Sequence, residues 1–472
     1  MQFNQPIFFL FVICFFIGWR WLGTRSSYRL AYLVIASFIF YSWADWRQLL
    51  VLVVVGVVSF FGGIGIGSHP YHKRFIAIGT IATTTGILFL FRYSDFVAAN
   101  LETLFAIFKI HLVLRPVFYS INRIPTLGIG FYTLQAISYV VDAYHGRLQP
   151  TRNITHFFAY MAMFPKLLAG PIERGNNLLT QMAAVPSRPT EAQRWEGTRA
   201  IIFGYFLKVV IADNLAPFVD TAFNNPRVSG QSLFWWISVT AFAIQLYCDF
   251  SGYSSIAVGL GKWMGYDLTV NFKNPYTATS LAEFWSRWHI SLTNWLRDYI
   301  FYPLNRSRLG KGRPYLNMWI TMLVSGLWHG ANWTFIAWGG LHSLYISLER
   351  LTQWPTKLKR YRGGYWVALI LILLQVWVGW VFFRAESLTQ GFQIIKTMFS
   401  FRGGWQLSMN PNYLFYLTLG LSREIFAQVH INDMPRIPAV LKNGVEVCFI
   451  SLLMVACVLL RGPGSQFIYF QF

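Results

Sequence analysis

Charge-poor apolar runs recur along this chain at about the length a helix needs to cross a bilayer, and that constrains its fold more than any other feature. A hydrocarbon core of roughly 30 Å takes about 20 predominantly apolar residues to span. FFLFVICFFIGWRWL, LLVLVVVGVVSFFGGIGIG, YWVALILILLQVWVGWVFF and VCFISLLMVACVLL meet or approach that demand. Lipid offers backbone N–H and C=O groups no partner, so such segments must pair internally, as helices. The composition agrees: 55% of the 472 residues are hydrophobic and 12% charged, against about 25% charged in a soluble domain. The first run reads as a retained span, because the five residues before it carry no positive charge and no small-residue cleavage site follows. Span counting predicts an all-α polytopic protein with roughly ten to twelve transmembrane helices.

The net charge of +21 does not point to nucleic acid. The basic residues sit in short loops between apolar runs: Arg20/Arg25/Arg29, Lys73/Arg74, Arg147/Arg152, Arg306/Arg308/Lys311/Arg313 and Lys357/Lys359/Arg360/Arg362. Lys and Arg beside spans mark the cytoplasmic face. The intervening connections, such as 213–231, are less basic. Alternating the two kinds places the N-terminus outside and the loops 20–29, 68–75, 145–153 and 349–365 inside. Cys14, Cys248, Cys448 and Cys457 lie in apolar runs without CxxC spacing, so neither a zinc site nor a disulfide framework is expected.

Residues 4–92 read as four spans, and 95–124 as an interfacial amphipathic stretch. FFAYMAMFPKLLAGPIERG (157–175) carries Lys and Pro inside an apolar run and ends in Gly-Pro-Ile-Glu-Arg-Gly. Broken backbone at membrane depth survives only where protein or a cavity surrounds it, so this segment is predicted to be re-entrant. FWSRWHISLTNWLRDYIFYPL (284–304) is too polar to span alone. It is predicted to be one helix dipping in from the cytoplasmic side, with Arg287, Asn294 and Asp298 along one stripe. YLNMWITMLVSGLWHGANW and TFIAWGGLHSLYISLER are two closely spaced membrane segments. GGIGIG (62–67) and GLGKWMG (259–265) read as helix-packing glycines, since the spacing of a dinucleotide loop is missing. No repeat or soluble domain is evident, so the chain is expected to form a single membrane domain over 1–472: N-terminal spans and the interfacial helix over 1–124, a core with re-entrant segments over 125–350, and C-terminal spans over 351–472.

His69, His72, His145 and His156 fall in or beside loops. His289 and His329 lie within apolar-aromatic sequence, where an ionisable group is expensive and marks function by default. An imidazole near its ordinary pKa of about 6.5 takes and returns a proton at neutral pH. Asn332, one turn beyond His329, can orient that ring or polarise a carbonyl, and Gly326 and Gly330 permit close approach. The G-x-S-x-G elbow, the GxxxxGK[ST] loop, the H-E-x-x-H zinc motif and the His-x4-Asp pattern of soluble acyltransferases are all missing.

FYTLQAISYVVDAYHG (131–146), FPKLLAGPIERG (164–175), YCDFSGYSSIAVGLGKWMGYDLTVNFKNPY (247–276), EFWSRWHISLTNWLRDYIFYPL (283–304), SGLWHGANWTFIAWGGLH (325–342) and FIYFQF (467–472) together carry a resemblance. The chain resembles the membrane-bound O-acyltransferases (MBOAT), in the bacterial branch of alginate O-acetylation and teichoic-acid D-alanylation proteins. Its GPIER form and length are nearer the alginate type. The resemblance implies a central tunnel through the membrane, His329 as the essential histidine and His289 as the second histidine. It leaves His342 on a family position without assigned chemistry.

The expected function is O-acyl transfer, with acetyl as the group moved. The donor is a cytoplasmic thioester, acetyl-CoA or another acyl thioester, with no bound cofactor and no metal. The acceptor is an extracytoplasmic polysaccharide, acylated directly or through a periplasmic acetyltransferase-like partner. Trp328 and Asn332 are candidate supports. Arg287 and Arg297, with Lys311 and Arg313, are candidates for steering a phosphate-bearing donor, against the plainer reading of positive-inside anchors. The expected location is the bacterial cytoplasmic (inner) membrane. Two alternatives remain at this point: D-alanyl transfer from a carrier protein, and a transporter with a histidine proton relay. A transporter calls for paired broken helices in two corresponding halves, which the sequence does not display.

Overall fold

A computed structural model of the chain describes residues 1–23, 26–116, 124, 126–184, 188–225, 230–401, 410–426 and 439–470. Among them the regular structure is entirely helical. They group into two compact units, one of residues 1–198 with 257–269, the other of 199–256 with 270–472.

The first unit opens with the four expected helices, Pro6–Trp21, Ser26–Ser42, Arg47–Ser68 and Lys73–Arg92. Pro6 starts the first at a position where its missing N–H costs nothing. The GGIGIG glycines do pack helices together. A Cβ on Gly62 would collide with Thr80 Oγ1, and one on Gly63 would stand 2.6 Å from Tyr139 Cε1. The expected interfacial stretch contains the helix Ser94–Ile107; 117–123 and 125 lie outside the described residues.

The segment 157–175 is broken as its sequence predicts. The helix Ile154–Ala162, capped by Asn153, ends at Met163, and a short turn Phe164–Leu167 follows. Lys166, only 3% exposed, serves the freed backbone and its neighbours. Its ammonium donates to Gln135 Oε1 at 2.6 Å and to the Met161 carbonyl at 3.2 Å, while Gln135 Nε2 donates to the Tyr160 carbonyl. Glu173 accepts from the Thr269 N–H and from Asn177. Lys166 and Glu173 are thus consumed in holding an irregular backbone inside protein.

The helical path Glu191–Asn224 runs through a π-helical stretch, Phe206–Ala212, that lies in the second unit. The sequence predicts a loop from 213; instead the helix Asp213–Asn224 continues, with Pro217 in its first turns. Asp213 is buried against Lys208 rather than solvated.

Five helices are long and apolar enough to cross a membrane unaided: Arg47–Ser68, Lys73–Arg92, Glu191–Asn224, Ser232–Met264 and Gly364–Arg384. Three further apolar ones are shorter. This count among the described residues falls below the span count from sequence because those three helices are under 18 residues and the segments around the histidines are short, broken or polar. Lipid-facing stripes are nevertheless plain. On Gly364–Arg384 the side chains of Val367, Ile370, Leu371 and Leu374 point outward while Ala368, Ile372, Val376 and Gly379 are buried. The protein is a multi-pass membrane protein.

Candidate active site

The site lies in the second unit, where the run 281–306 meets the paired helices Pro314–His329 and Trp333–Thr352. That pair packs backbone to backbone. A Cβ on Gly326 would collide with the Phe335 carbonyl oxygen, and one on Gly339 would stand 2.5 Å from that of Met322. Their tight turn is closed by Asn332, whose Oδ1 accepts from the Thr334 N–H at 3.0 Å and whose Nδ2 donates to the Glu386 carbonyl. Asn332 is therefore the N-cap of the second helix and braces the turn after His329.

His329 ends the first helix and is 2% exposed. Its Nδ1 lies 2.7 Å from the Ser325 carbonyl, and a carbonyl only accepts, so Nδ1 carries the proton and donates. The ring is thereby fixed in the tautomer whose Nε2 is the basic nitrogen. Trp328, Trp338, Phe383 and Tyr469 surround it at ring-centroid distances of 5.0, 4.9, 5.3 and 5.9 Å.

The run 284–304 is not one helix. The helices Leu281–Arg287 and Ile290–Leu296 are separated at Trp288 and His289, and the π-helical stretch Arg297–Phe301 follows. The stripe of Arg287, Asn294 and Asp298 is therefore broken. His289 adopts φ +45°, the left-handed region that side chains seldom occupy. Asn271 enforces the break from outside the segment. Its carbonyl accepts from the Ile290 N–H at 3.0 Å, its Oδ1 accepts from Ser291, and its Nδ2 donates to Ser254. Local periodicity carries no trace of this non-local clamp.

The break aims His289, 1% exposed, at the His329 cluster. Its ring lies 5.8 Å from Trp328 and 4.7 Å from Phe250. Phe250 meets Tyr469 at 4.6 Å, and Tyr469 meets His329. The contacts close a circuit: His289, Trp328, His329, Tyr469, Phe250 and back. Trp328 bridges the two histidines on one side, Phe250 and Tyr469 on the other. His342, fully buried, stacks edgewise on Trp338 and Trp285.

A cavity of about 380 Å³ lies beside this cluster, with neither His289 nor His329 among its lining residues, and is at the lower end of the roughly 300–1,000 Å³ of small-molecule pockets. Its lining includes Ile290, next to His289; Ser325, the residue that holds His329; and Trp285, which touches His342. Arg297 and Arg350 also line it. The Arg297 guanidinium pairs with Asp298 at 2.8 Å and lies over Tyr302. Arg287 is not among the lining residues. It donates to Glu283, to Thr277 Oγ1 and to the Asn274 carbonyl, bonds that hold the loop before its helix.

Sequence reasoning passed over Phe250, Tyr469 and a buried ionic cluster of Lys208, Asp213 and Asp249. The signal was available for the last. Lys208 in GYFLKVVIADNL and Asp249 in QLYCDFSGY interrupt apolar runs as His329 does, and the same cost argument applies.

The sequence profile of the membrane-bound O-acyltransferase family matches residues 38–389, a stretch that contains both histidines and the cavity. A Pseudomonas putida protein named "Probable alginate O-acetylase AlgI" is 37% identical over 418 residues, covering 86% of this chain and 82% of the relative. A Helicobacter pylori protein named peptidoglycan O-acetyltransferase is 31% identical over 435 residues, covering 85% and 80%. A Streptococcus thermophilus teichoic acid D-alanyltransferase is 28% identical over 237 residues, covering 47% and 56%. The buried histidine pair, the cavity beside it and the lipid-facing helices thus belong to a chain that is a member of the membrane-bound O-acyltransferase family.

Proposed function

We propose that this protein moves an acetyl group from a cytoplasmic thioester, acetyl-CoA, to a hydroxyl destined for an extracytoplasmic polysaccharide, and that it works in the bacterial cytoplasmic membrane with its N-terminus outside. Relatives named for O-acetylation of alginate and peptidoglycan, matched over most of their length, support the acyl group and the polysaccharide class.

The observation that carries the mechanism is the tautomer of His329, held by the Ser325 carbonyl inside an aromatic box. Its Nε2 takes the proton of the acceptor hydroxyl as the oxygen attacks the thioester carbonyl. The C–O bond forms, the C–S bond breaks, and the imidazolium returns the proton to the departing thiolate as a thiol. Aromatic walls exclude water that would otherwise hydrolyse the donor. His289, coupled to His329 through Trp328, shares in proton handling on the side where Ile290 lines the cavity. The thioester arm occupies that cavity, and Arg297 and Arg350 attract its phosphates.

A polymer presents its hydroxyl poorly to a group 2% exposed, and the attacking oxygen must come within about 3–3.5 Å of the acyl carbon. A separate extracytoplasmic protein with a serine-type nucleophile therefore collects the acetyl group at the outer mouth. Purified protein in detergent, given labelled acetyl-CoA, polysaccharide and an extracytoplasmic protein of this kind, should acetylate the polymer; omission of that protein should leave little transfer. Efficient acetylation by the chain alone defeats the relay, and turnover of a D-alanyl carrier thioester but not acetyl-CoA defeats the choice of donor.

A further inference from the structure

The Lys208 cluster lies outside the site, yet it is built into the site's far wall. Lys208 is 6% exposed, and its ammonium sits 2.8 Å from both Asp213 Oδ1 and Asp249 Oδ1 and 3.2 Å from the Ser465 carbonyl. Asp213 also accepts from Ser465 Oγ at 2.6 Å, and Asp249 Oδ2 accepts from the Ile468 N–H at 2.8 Å. Two more bonds fasten the same stretch: the Gly462 N–H donates to the Val209 carbonyl, and Asn214 Nδ2 donates to the Leu460 carbonyl. Three features of the fold assemble this. The π-helical stretch widens the helix at Lys208. Gly204 and Gly252 bring the two long helices into backbone contact, each Cβ position falling within 2.6–2.7 Å of the other's carbonyl oxygen. Gly462 sits where a Cβ would meet the Asp213 backbone at 2.7 Å.

The ionic cluster and the aromatic circuit are adjacent along both segments they join. Asp249 precedes Phe250, and Ile468 precedes Tyr469. The carboxylate that receives the Ile468 N–H therefore sets the register in which Tyr469 lies on Phe250 and against His329. We infer that Lys208, Asp213 and Asp249 form a positioning device for the active site: they anchor residues 460–468 so that Tyr469 closes the wall of the His329 box. Lys208 touches no reacting atom; it acts through Asp249 and Tyr469. Apolar packing would anchor a segment as firmly at less desolvation cost, whereas a directional cluster also fixes register, as the outer ligand shell of a site does.

The inference rests on His329 as the reacting base, and the test separates the two. Wild type, Lys208→Met, Tyr469→Leu, the Lys208→Met/Tyr469→Leu double variant and His329→Ala are purified in detergent, checked for monodispersity and assayed for acetyl-CoA turnover. Lys208→Met and Tyr469→Leu should each lower kcat at least ten-fold while KM for acetyl-CoA stays within two-fold. The double variant should be no slower than the slower single one, since both remove the same wall. Adding Asp213→Asn and Asp249→Asn to Lys208→Met should restore most of the lost rate, because the amide oxygens still accept from Ser465 and Ile468 while the two unpaired buried carboxylates are gone. A rate within two-fold of wild type for either single variant, or losses that multiply in the double, overturns the device. Should Lys208→Met not yield monodisperse protein, Ser465→Ala, which removes the hydroxyl bond to Asp213 without stranding a buried charge, takes its place: kcat should fall, and a rate within two-fold of wild type overturns the device. An active His329→Ala protein overturns the acyl-transfer reading instead.

Discussion

Taken as single residues, the two histidines are buried for different structural reasons, and variants can tell strain from chemistry. His329 keeps an ordinary helical backbone and is held by its Nδ1 bond to Ser325. His289 pays a conformational cost, with φ +45°, that glycine would not bear. His289→Gly should therefore be more stable than His289→Ala by about 1 kcal/mol, as read by thermal unfolding in detergent, while both lose most transferase activity. Equal stabilities would mean that the left-handed turn relaxes without the imidazole. Activity surviving in His289→Gly would mean that the histidine serves the turn alone.

Among the elements, the active-site helices depend on close backbone approach. Any side chain at Gly326 meets the Phe335 carbonyl, which cannot rotate away. Gly326→Val should separate the helices Pro314–His329 and Trp333–Thr352 and cost about 1–3 kcal/mol, with activity falling further than stability because Ser325 and His329 share that helix. Unchanged melting and turnover would refute the tight packing. Elements also show where sequence reading stops. The helix ending in His329 is legible, because an imidazole amid apolar residues costs too much to be placed there without a use. So is the break near Pro165, because Pro and Lys in an apolar run demand one. The break at His289 is not, because Asn271 imposes it from another segment. Spacing alone makes Asn332 a partner of the His329 ring, since it does not distinguish a ligand-facing amide from an N-cap.

Over the molecule as a whole, the charge pattern predicts an orientation that the helices themselves do not encode. The Lys- and Arg-rich loops predict that 145–153 faces the cytoplasm and that the connection after the helix Asp213–Asn224 faces out. Reporter fusions at Thr151 and Asn224 should report opposite sides; the same side for both would overturn the orientation. Family membership is legible in motifs scattered over most of the chain. The wall of the site is not, because Phe250 and Tyr469 are more than 200 residues apart in sequence and look like ordinary membrane aromatics until the fold joins them.

Everything proposed for the chemistry turns on His329 as the base of an acyl transfer. The deciding comparison sets wild type beside His329→Ala for transfer of labelled acetyl from acetyl-CoA in the presence of the proposed extracytoplasmic partner. Replacing a buried imidazole with a methyl group removes a polar group from the membrane, so expression and insertion should match wild type. The rate should fall by about 10²–10⁴-fold, the usual contribution of a positioned general base, with KM for acetyl-CoA little changed. Transfer by well-inserted His329→Ala protein at a rate close to wild type would contradict this and leave His329 a structural residue.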